Sequence, residues 1–163
     1  MNQEQLELFP DARPASAYQV ALIACSGRKA AVACSASDMY QGHLFRLSRS
    51  YVLRRPFTAW GILSAKHGLV LPEQVIAPYD QTMADVETLG WAQRVIGRLQ
   101  ERWPRAHVTI LAGLDYTAPL KAHLKFDDVF DNWRRQTRAE GKRAGIGVLL
   151  HNLKWEVPQW PSQ

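Results

Sequence analysis

Three short stretches hold the residue types from which a site can be built: Cys25-Ser26-Gly27-Arg28-Lys29, Ser64-Ala65-Lys66-His67-Gly68 and Ala112-Gly113-Leu114-Asp115-Tyr116. Each joins glycine to polar or charged side chains. Glycine lets backbone approach a ligand closely, and exposed N–H groups beside Lys or Arg suit phosphate or another anion. The first stretch lacks the spacing of a glycine-rich phosphate loop with its closing Lys-Ser/Thr, which argues against an ATP loop and leaves a solvated turn as the other reading.

In the second stretch Lys66 supplies an anchoring cation and His67 a titratable acid or base, while "IAPYDQTM" adds the Tyr79 ring for stacking, the Asp80 carboxylate and the Thr82 hydroxyl. Such a set suits a nucleobase or a sugar. Structural roles stand beside these: His67 bonding a backbone carbonyl, Tyr79 packing after Pro78, and Asp80 or Thr82 capping the next helix, the cap being preferred for Thr82. "DMYQGHLFR" puts Asp38 and Tyr40 just before a helix, with His43, Phe45 and Arg46 in its opening turns; Asp38 is either a catalytic carboxylate or a helix-start residue. Cys25 reads as a small core residue at a strand end rather than a nucleophile, and Cys34 falls in a loop.

Residues 134 to 143, "RRQTRAEGKR", form the densest basic stretch, with Arg134, Arg135, Arg138, Lys142 and Arg143 against Glu140 alone. They are candidates for contact with a phosphate backbone, or a solvated charged loop. The histidines are dispersed and the cysteines lack metal-ligand spacing, so neither a metal nor a cofactor is expected.

These residues need elements to position them. "YQVALIAC", "FTAWGILSA" (57 to 65) and "HVTILAG" (107 to 113) read as buried strands. Helical periodicity runs through "HLFRLSRSYVLRR", with Leu44, Leu47, Tyr51 and Val52 on one face, and through Val86, Leu89, Ala92, Ile96, Leu99 and Trp103. The second of these helices is predicted to start near Thr82, where Thr82 and Asp85 form a box-like pair, and to end before Pro104. Shorter helices are predicted across "DYTAPLKAHL", despite Pro119, and across "IGVLLHNLKWE". Strands alternating with helices predict an α/β layered sandwich, a mainly parallel central sheet flanked by helices. In such sheets ligands bind outside the carboxyl ends of the strands, where the three stretches lie.

At 163 residues, 47% hydrophobic and 21% charged, the chain suits one globular domain with a sizeable core. A formal net charge of +5 mildly favours polyanionic partners such as DNA. No apolar run approaches the ~20 residues that span a bilayer, and no signal-peptide pattern is evident, so a cytoplasmic, reduced setting without membrane contact is expected. Residues 1–16 read as a tail, 17–155 as the α/β domain and 156–163 as a second tail.

The order "CSGRK", "DMYQGHLFR", "ILSAKHGLV", "IAPYDQTM" and "AGLDY" resembles an uncharacterised bacterial and phage domain family over about residues 20 to 150. That family is distantly similar to the YaaA peroxide-stress proteins and to the core of archaeosine synthase. The resemblance implies a uracil-DNA glycosylase-like fold, base-directed chemistry, and a site drawn from Cys25, Ser26, Lys29, Asp38, Tyr40, Ser64, Lys66, Tyr79, Asp80 and Tyr116. Gly27, Arg28 and Gly113 join it as backbone or phosphate contacts. The glycosylases' own catalytic signature is not present in this sequence.

Near the amino terminus, "QLELF" is similar to the Q-L-x-L-F peptide that docks replication and repair proteins on the bacterial sliding clamp; Gln5, Leu6, Leu8 and Phe9 match. Three large apolar side chains seated in a pocket can each contribute roughly 1.5–3 kcal/mol before ordering costs. The linker "PDARPAS" would then hold the domain beside DNA. The other readings are the first turn of an amphipathic helix or a chance pentamer. Three functions follow as expectations: a clamp-recruited enzyme acting on a nucleobase or N-glycosidic bond in DNA, a non-catalytic DNA- or clamp-binding module with a nucleotide pocket, and a small-molecule nucleoside enzyme.

Overall fold

A computed structural model describes residues 18–155 of the chain. Gln5 to Phe9 and the flanking tails lie outside the described residues. The apolar run at the start becomes β1 (Gln19–Ala24), the centre of a five-stranded sheet. It pairs in parallel with β3 (Ala59–Ser64) on one side and β6 (His107–Leu111) on the other, with Leu22 opposite Gly61 and Ile110. With β4 (Gly68–Val70) and β7 (Asp127–Asp128) at the edges, the order across the sheet is β4-β3-β1-β6-β7. Strand β4 turns back antiparallel to β3, and the two-residue β7 adds in parallel to β6. A separate two-stranded ribbon pairs β2 (Cys34–Ser35) with β5 (Val75–Ile76). The expectation of a mainly parallel α/β sheet flanked by helices is met.

Alternation along β1 divides the core between two faces. Val20 and Leu22 face α3 (Thr88–Arg102) and α4 (Leu114–Lys121), packing with Trp91, Val95, Leu99 and Leu120. Ala21 and Ile23 face the other layer, made of α2 (His43–Leu53), α5 (Val129–Ala139) and α6 (Ile146–Trp155), with Phe45, Tyr51, Trp133 and Leu153. A four-residue helix, α1 (Ala36–Met39), sits between β2 and α2.

Several local expectations need correction. Thr82 and Asp85 do pair, the Thr82 N–H and hydroxyl both donating to the Asp85 carboxylate at 3.0 and 3.2 Å, but they close a single 3-10 turn, Met83–Asp85. The α-helix begins at Thr88, capped by Glu87, whose carboxylate accepts from the Leu89 and Gly90 N–H groups. On α2 the buried positions are Phe45, Ser48, Tyr51 and Val52, with Leu44 and Leu47 only partly covered. Asp38 precedes α2 as expected but lies within a further short helix, α1, and Cys34 lies in β2 rather than a loop. Arg134, Arg135 and Arg138 are helical, on α5; only Lys142 and Arg143 follow its end, where Gly141 takes a positive φ of 74° as helix-terminating glycines do. Pro119 is carried inside α4, past its first turn, where the missing N–H costs this short helix one internal bond.

Candidate functional site

The parallel strands deliver their carboxyl ends to one edge of the sheet, and the three stretches meet there. From β1, the Cys25 N–H continues the sheet pairing by donating to the Leu63 carbonyl at 2.9 Å. The chain then turns, and a backbone clasp fixes the turn: Ala30 N–H donates to Met39 O and Gln41 N–H to Arg28 O, bringing Lys29 opposite Tyr40. Ser26 tightens the same turn, its hydroxyl donating to the Arg28 carbonyl and accepting the Gly42 N–H at 3.0 Å. A Cβ on Gly42 would stand 2.7 Å from Ser26 Cβ, so close backbone approach requires glycine there.

From β3, Ser64 is wholly buried and held on both sides. Its hydroxyl accepts the His67 N–H at 3.0 Å, and its carbonyl accepts the indole N–H of Trp91 at 2.8 Å. The intervening turn closes on Gly68, whose φ of 72° is readily adopted only by glycine. Beyond the β2–β5 ribbon the chain returns with Tyr79. Its hydroxyl lies 2.7 Å from the Ser64 hydroxyl and 2.8 Å from that of Tyr40, joining three elements distant in sequence. From the start of α4, the Tyr116 hydroxyl meets the Cys25 thiol at 3.1 Å while its ring packs on Trp91.

Charge surrounds the Tyr79 ring. Lys29 Nζ stands 4.3 Å from its centroid and Lys66 Nζ 5.7 Å, and His67 meets it edge-on with centroids 5.3 Å apart. The Nε2 atom of His67 is buried without a hydrogen-bond partner. Burial, and then the neighbouring Lys66 charge, lower the His67 pKa below its ordinary value. Burial is also the main cause that raises the pKa values of Tyr40, Tyr79 and Tyr116. The phenols therefore stay neutral at physiological pH, able to donate and accept hydrogen bonds but not to carry charge.

Cys25, Ser26, Lys29, Tyr40, Ser64, Lys66, His67, Tyr79 and Tyr116 are thus brought to one edge. Gly27, Arg28 and Gly113 lie on the same loops, with Gly113 as the N-cap of α4. Asp80 follows Tyr79 directly and is exposed. Asp38 turns elsewhere: its carboxylate accepts the Ser35 hydroxyl at 3.0 Å and stands 3.7 Å from Arg49. A stacking role for Tyr79 also needs revision, since Lys29 already occupies a position over its ring and its hydroxyl is tied at two points. Sequence reasoning passed over Trp91 and Gly42, which hold Ser64 and Ser26. The glycine before a helix in "YQGHLF" was the available signal for the second; the first gives none in sequence.

The basic stretch is not brought to this edge. Helix α2 starts beside Ser26 and runs back to the amino ends of the strands, where the Thr58 N–H donates to the Gln19 carbonyl. Tyr51, late in α2, packs edge-on against Trp133 of α5 with centroids 5.6 Å apart, and the basic residues follow Trp133. They lie toward the opposite end of the sheet. Arg135 pairs with Asp131 at 2.7 Å and Lys142 with Glu140 at 3.0 Å, while Arg138 and Arg143 are exposed and Arg134 is half-buried. A groove lined by Met83, Thr88, Leu114, Asp115 and Ala118 runs along the side of α4 away from Tyr116 and Thr117, outside the cluster. Among the described residues no group of His, Cys, Asp or Glu is placed to hold a metal ion, and no helix is long and apolar enough to cross a membrane.

Residues 20–143 match the model of a family of unknown function, DUF6884. The chain belongs to that family. The matched region runs from β1 to just past α5 and contains every residue of the tyrosine–lysine cluster, whereas Gln5 to Phe9 precede it. No curated protein and no solved structure matches the chain.

Proposed function

We propose that the protein is a DNA-associated enzyme acting on a modified or damaged nucleobase, or on its N-glycosidic bond, in the manner of a glycosylase or lyase. The observation that carries this reading is the convergence of neutral phenols, a neutral imidazole and two lysines at the carboxyl ends of a parallel sheet. The phenols, bonded to one another and to Ser64 and Cys25, make a fixed neutral wall against which an uncharged base can lie, and the lysines can hold the phosphate beside it. The order of "CSGRK", "DMYQGHLFR", "ILSAKHGLV", "IAPYDQTM" and "AGLDY" resembles a domain family distantly similar to YaaA proteins and the archaeosine synthase core; that likeness favours the uracil-DNA glycosylase type of fold more than the reaction, and nominates base-directed chemistry.

In the hydrolytic version Asp80, exposed beside Tyr79, takes the proton from a water whose oxygen attacks the sugar carbon as the base departs with the bonding electrons. In the lyase version the Lys66 amine adds to the aldehyde of an abasic sugar and releases water, giving a Schiff base. The "QLELF" peptide would bring the domain to the sliding clamp and hence to DNA. Incubation with uracil-containing, abasic and hypermodified duplexes tests both versions: free base, or a borohydride-trapped adduct lost in Lys66→Ala, is the expected result. No product and no adduct from any duplex would overturn them.

A second reading, an enzyme for free nucleosides or nucleotides, is favoured by one observation: the basic stretch lies away from the cluster rather than beside it. Turnover of free substrate together with indifference to removal of Gln5 to Phe9 would select it.

A further inference from the structure

Tyr79 holds its lysines without any carboxylate to neutralise them. Lys29 Nζ stands 4.3 Å from the Tyr79 centroid and 6.0 Å from that of Tyr40, and Lys66 Nζ stands 5.7 Å from Tyr79 on another loop. Among the described residues neither ammonium is in a salt bridge, whereas Lys121 and Lys142 each have a carboxylate partner. Lys29 makes one long bond, to the Gly27 carbonyl at 3.3 Å, which leaves most of its donor capacity open. The same corner contains the buried, unpartnered Nε2 of His67.

Lys29 is half-buried, so its ammonium over the Tyr79 ring is partly desolvated, while Lys66 is exposed; two cations against one ring repel one another. An anion between them removes that repulsion and recovers the lost hydrogen bonds. Tyr79 fits this role better than that of a stacking platform, because its ring props up the cations and its hydroxyl, tied to Ser64 and Tyr40, fixes the ring. The clasp between residues 28–30 and 39–41 fixes Lys29, and the tight turn ending at Gly68 fixes Lys66.

We infer that Lys29 and Lys66, carried on the Tyr79 ring with His67 Nε2 beside them, form a subsite for a doubly charged phosphate monoester. The inference rests on the nucleobase reading for the rest of the ligand, so the class of ligand is a nucleoside monophosphate unit. Two sources share this chemistry, a free nucleotide and the phosphorylated end of a nucleic-acid strand.

Titration calorimetry on the full chain tests it with nucleoside 5′-monophosphates, the matching nucleosides, ribose 5-phosphate, and a single-stranded oligonucleotide with and without a 5′-phosphate. The subsite predicts that monophosphates bind at least about tenfold tighter than nucleosides, the scale of one charge-assisted hydrogen bond. Lys29→Gln and Lys66→Gln should each remove about that factor for phosphorylated ligands and leave nucleosides unchanged. Tighter binding of the phosphorylated oligonucleotide than of the free nucleotide assigns the strand end as the source; the reverse assigns the free nucleotide. Nucleosides binding as tightly as their monophosphates, or no binding of any phosphate at millimolar concentration, overturns the subsite. Ribose 5-phosphate binding as tightly as every nucleotide keeps the subsite and overturns the base reading.

Discussion

The hydroxyl of Tyr79 lies 2.7 Å from that of Ser64, linking the loop after β5 to the carboxyl end of β3 across fifteen residues of chain. Because the same hydroxyl also meets Tyr40 at 2.8 Å, Tyr79→Phe leaves two buried partners short of a bond. The expected loss is about 1–3 kcal/mol of stability, read by urea denaturation. The ring that supports the lysines survives this change, so binding of a phosphate monoester should persist. A loss of stability below a few tenths of a kcal/mol would mean that solvent replaces the network.

Gly42 and Gly27 should respond oppositely to alanine. A Cβ at Gly42 meets Ser26 Cβ at 2.7 Å, while one at Gly27 meets nothing within 4 Å. Gly42→Ala must push Ser26 and the Lys29 turn aside, at a cost of about 1–3 kcal/mol and with weakened anion binding. Gly27→Ala should be tolerated in both assays. Equal thermal midpoints for the two variants would refute the close approach.

His67 makes stability depend on pH in a defined direction. Its folded-state pKa lies below the ordinary value, so between that lowered value and about 6.5 the unfolded chain takes up a proton that the folded chain refuses. Its contribution to stability is complete above that window and declines as pH falls through it. Melting curves from pH 8 to pH 5 should therefore converge for the native protein and His67→Asn at the acid end. Parallel curves would remove His67 from the account.

Charge removal along α5 and just past its end separates DNA affinity from the site. Arg138 and Arg143 are exposed, and Arg134 is half-buried. Replacing all three with Gln should weaken duplex binding and shallow its salt dependence, each removed charge freeing about one phosphate. Binding of mononucleotides at the distant cluster should not change. A matching fall in both assays would place the stretch at the cluster after all.

The strands were legible because burial on both faces leaves an unbroken apolar run, as in Val20 to Ala24, and the strand exits pointed to Ser64, Lys66 and Tyr116 for the same reason. What depends on distant contacts was not legible. The two-residue β7 exists only because β6 offers an edge, and the start of α3 was misplaced because Thr82 and Asp85 make a proper cap for a turn that then stops. Arg134 to Arg138 read as a loop because charge outweighed the burial of Phe130 and Trp133 on the other side of the same helix. Asp38 shows the limit for site residues: adjacency to Tyr40 in sequence did not bring its carboxylate to the tyrosines, since α1 turns it toward Arg49.

The central claim is that the Tyr79–lysine cluster handles a nucleobase. Its most direct test is base release, or adduct trapping, from uracil-containing, abasic and hypermodified DNA and from free nucleosides, comparing the native protein with Lys66→Ala and Asp80→Asn. Product formed by the native protein and lost in at least one variant is the predicted result. Complete absence of product and adduct across every substrate, from protein shown to be folded, would contradict the claim.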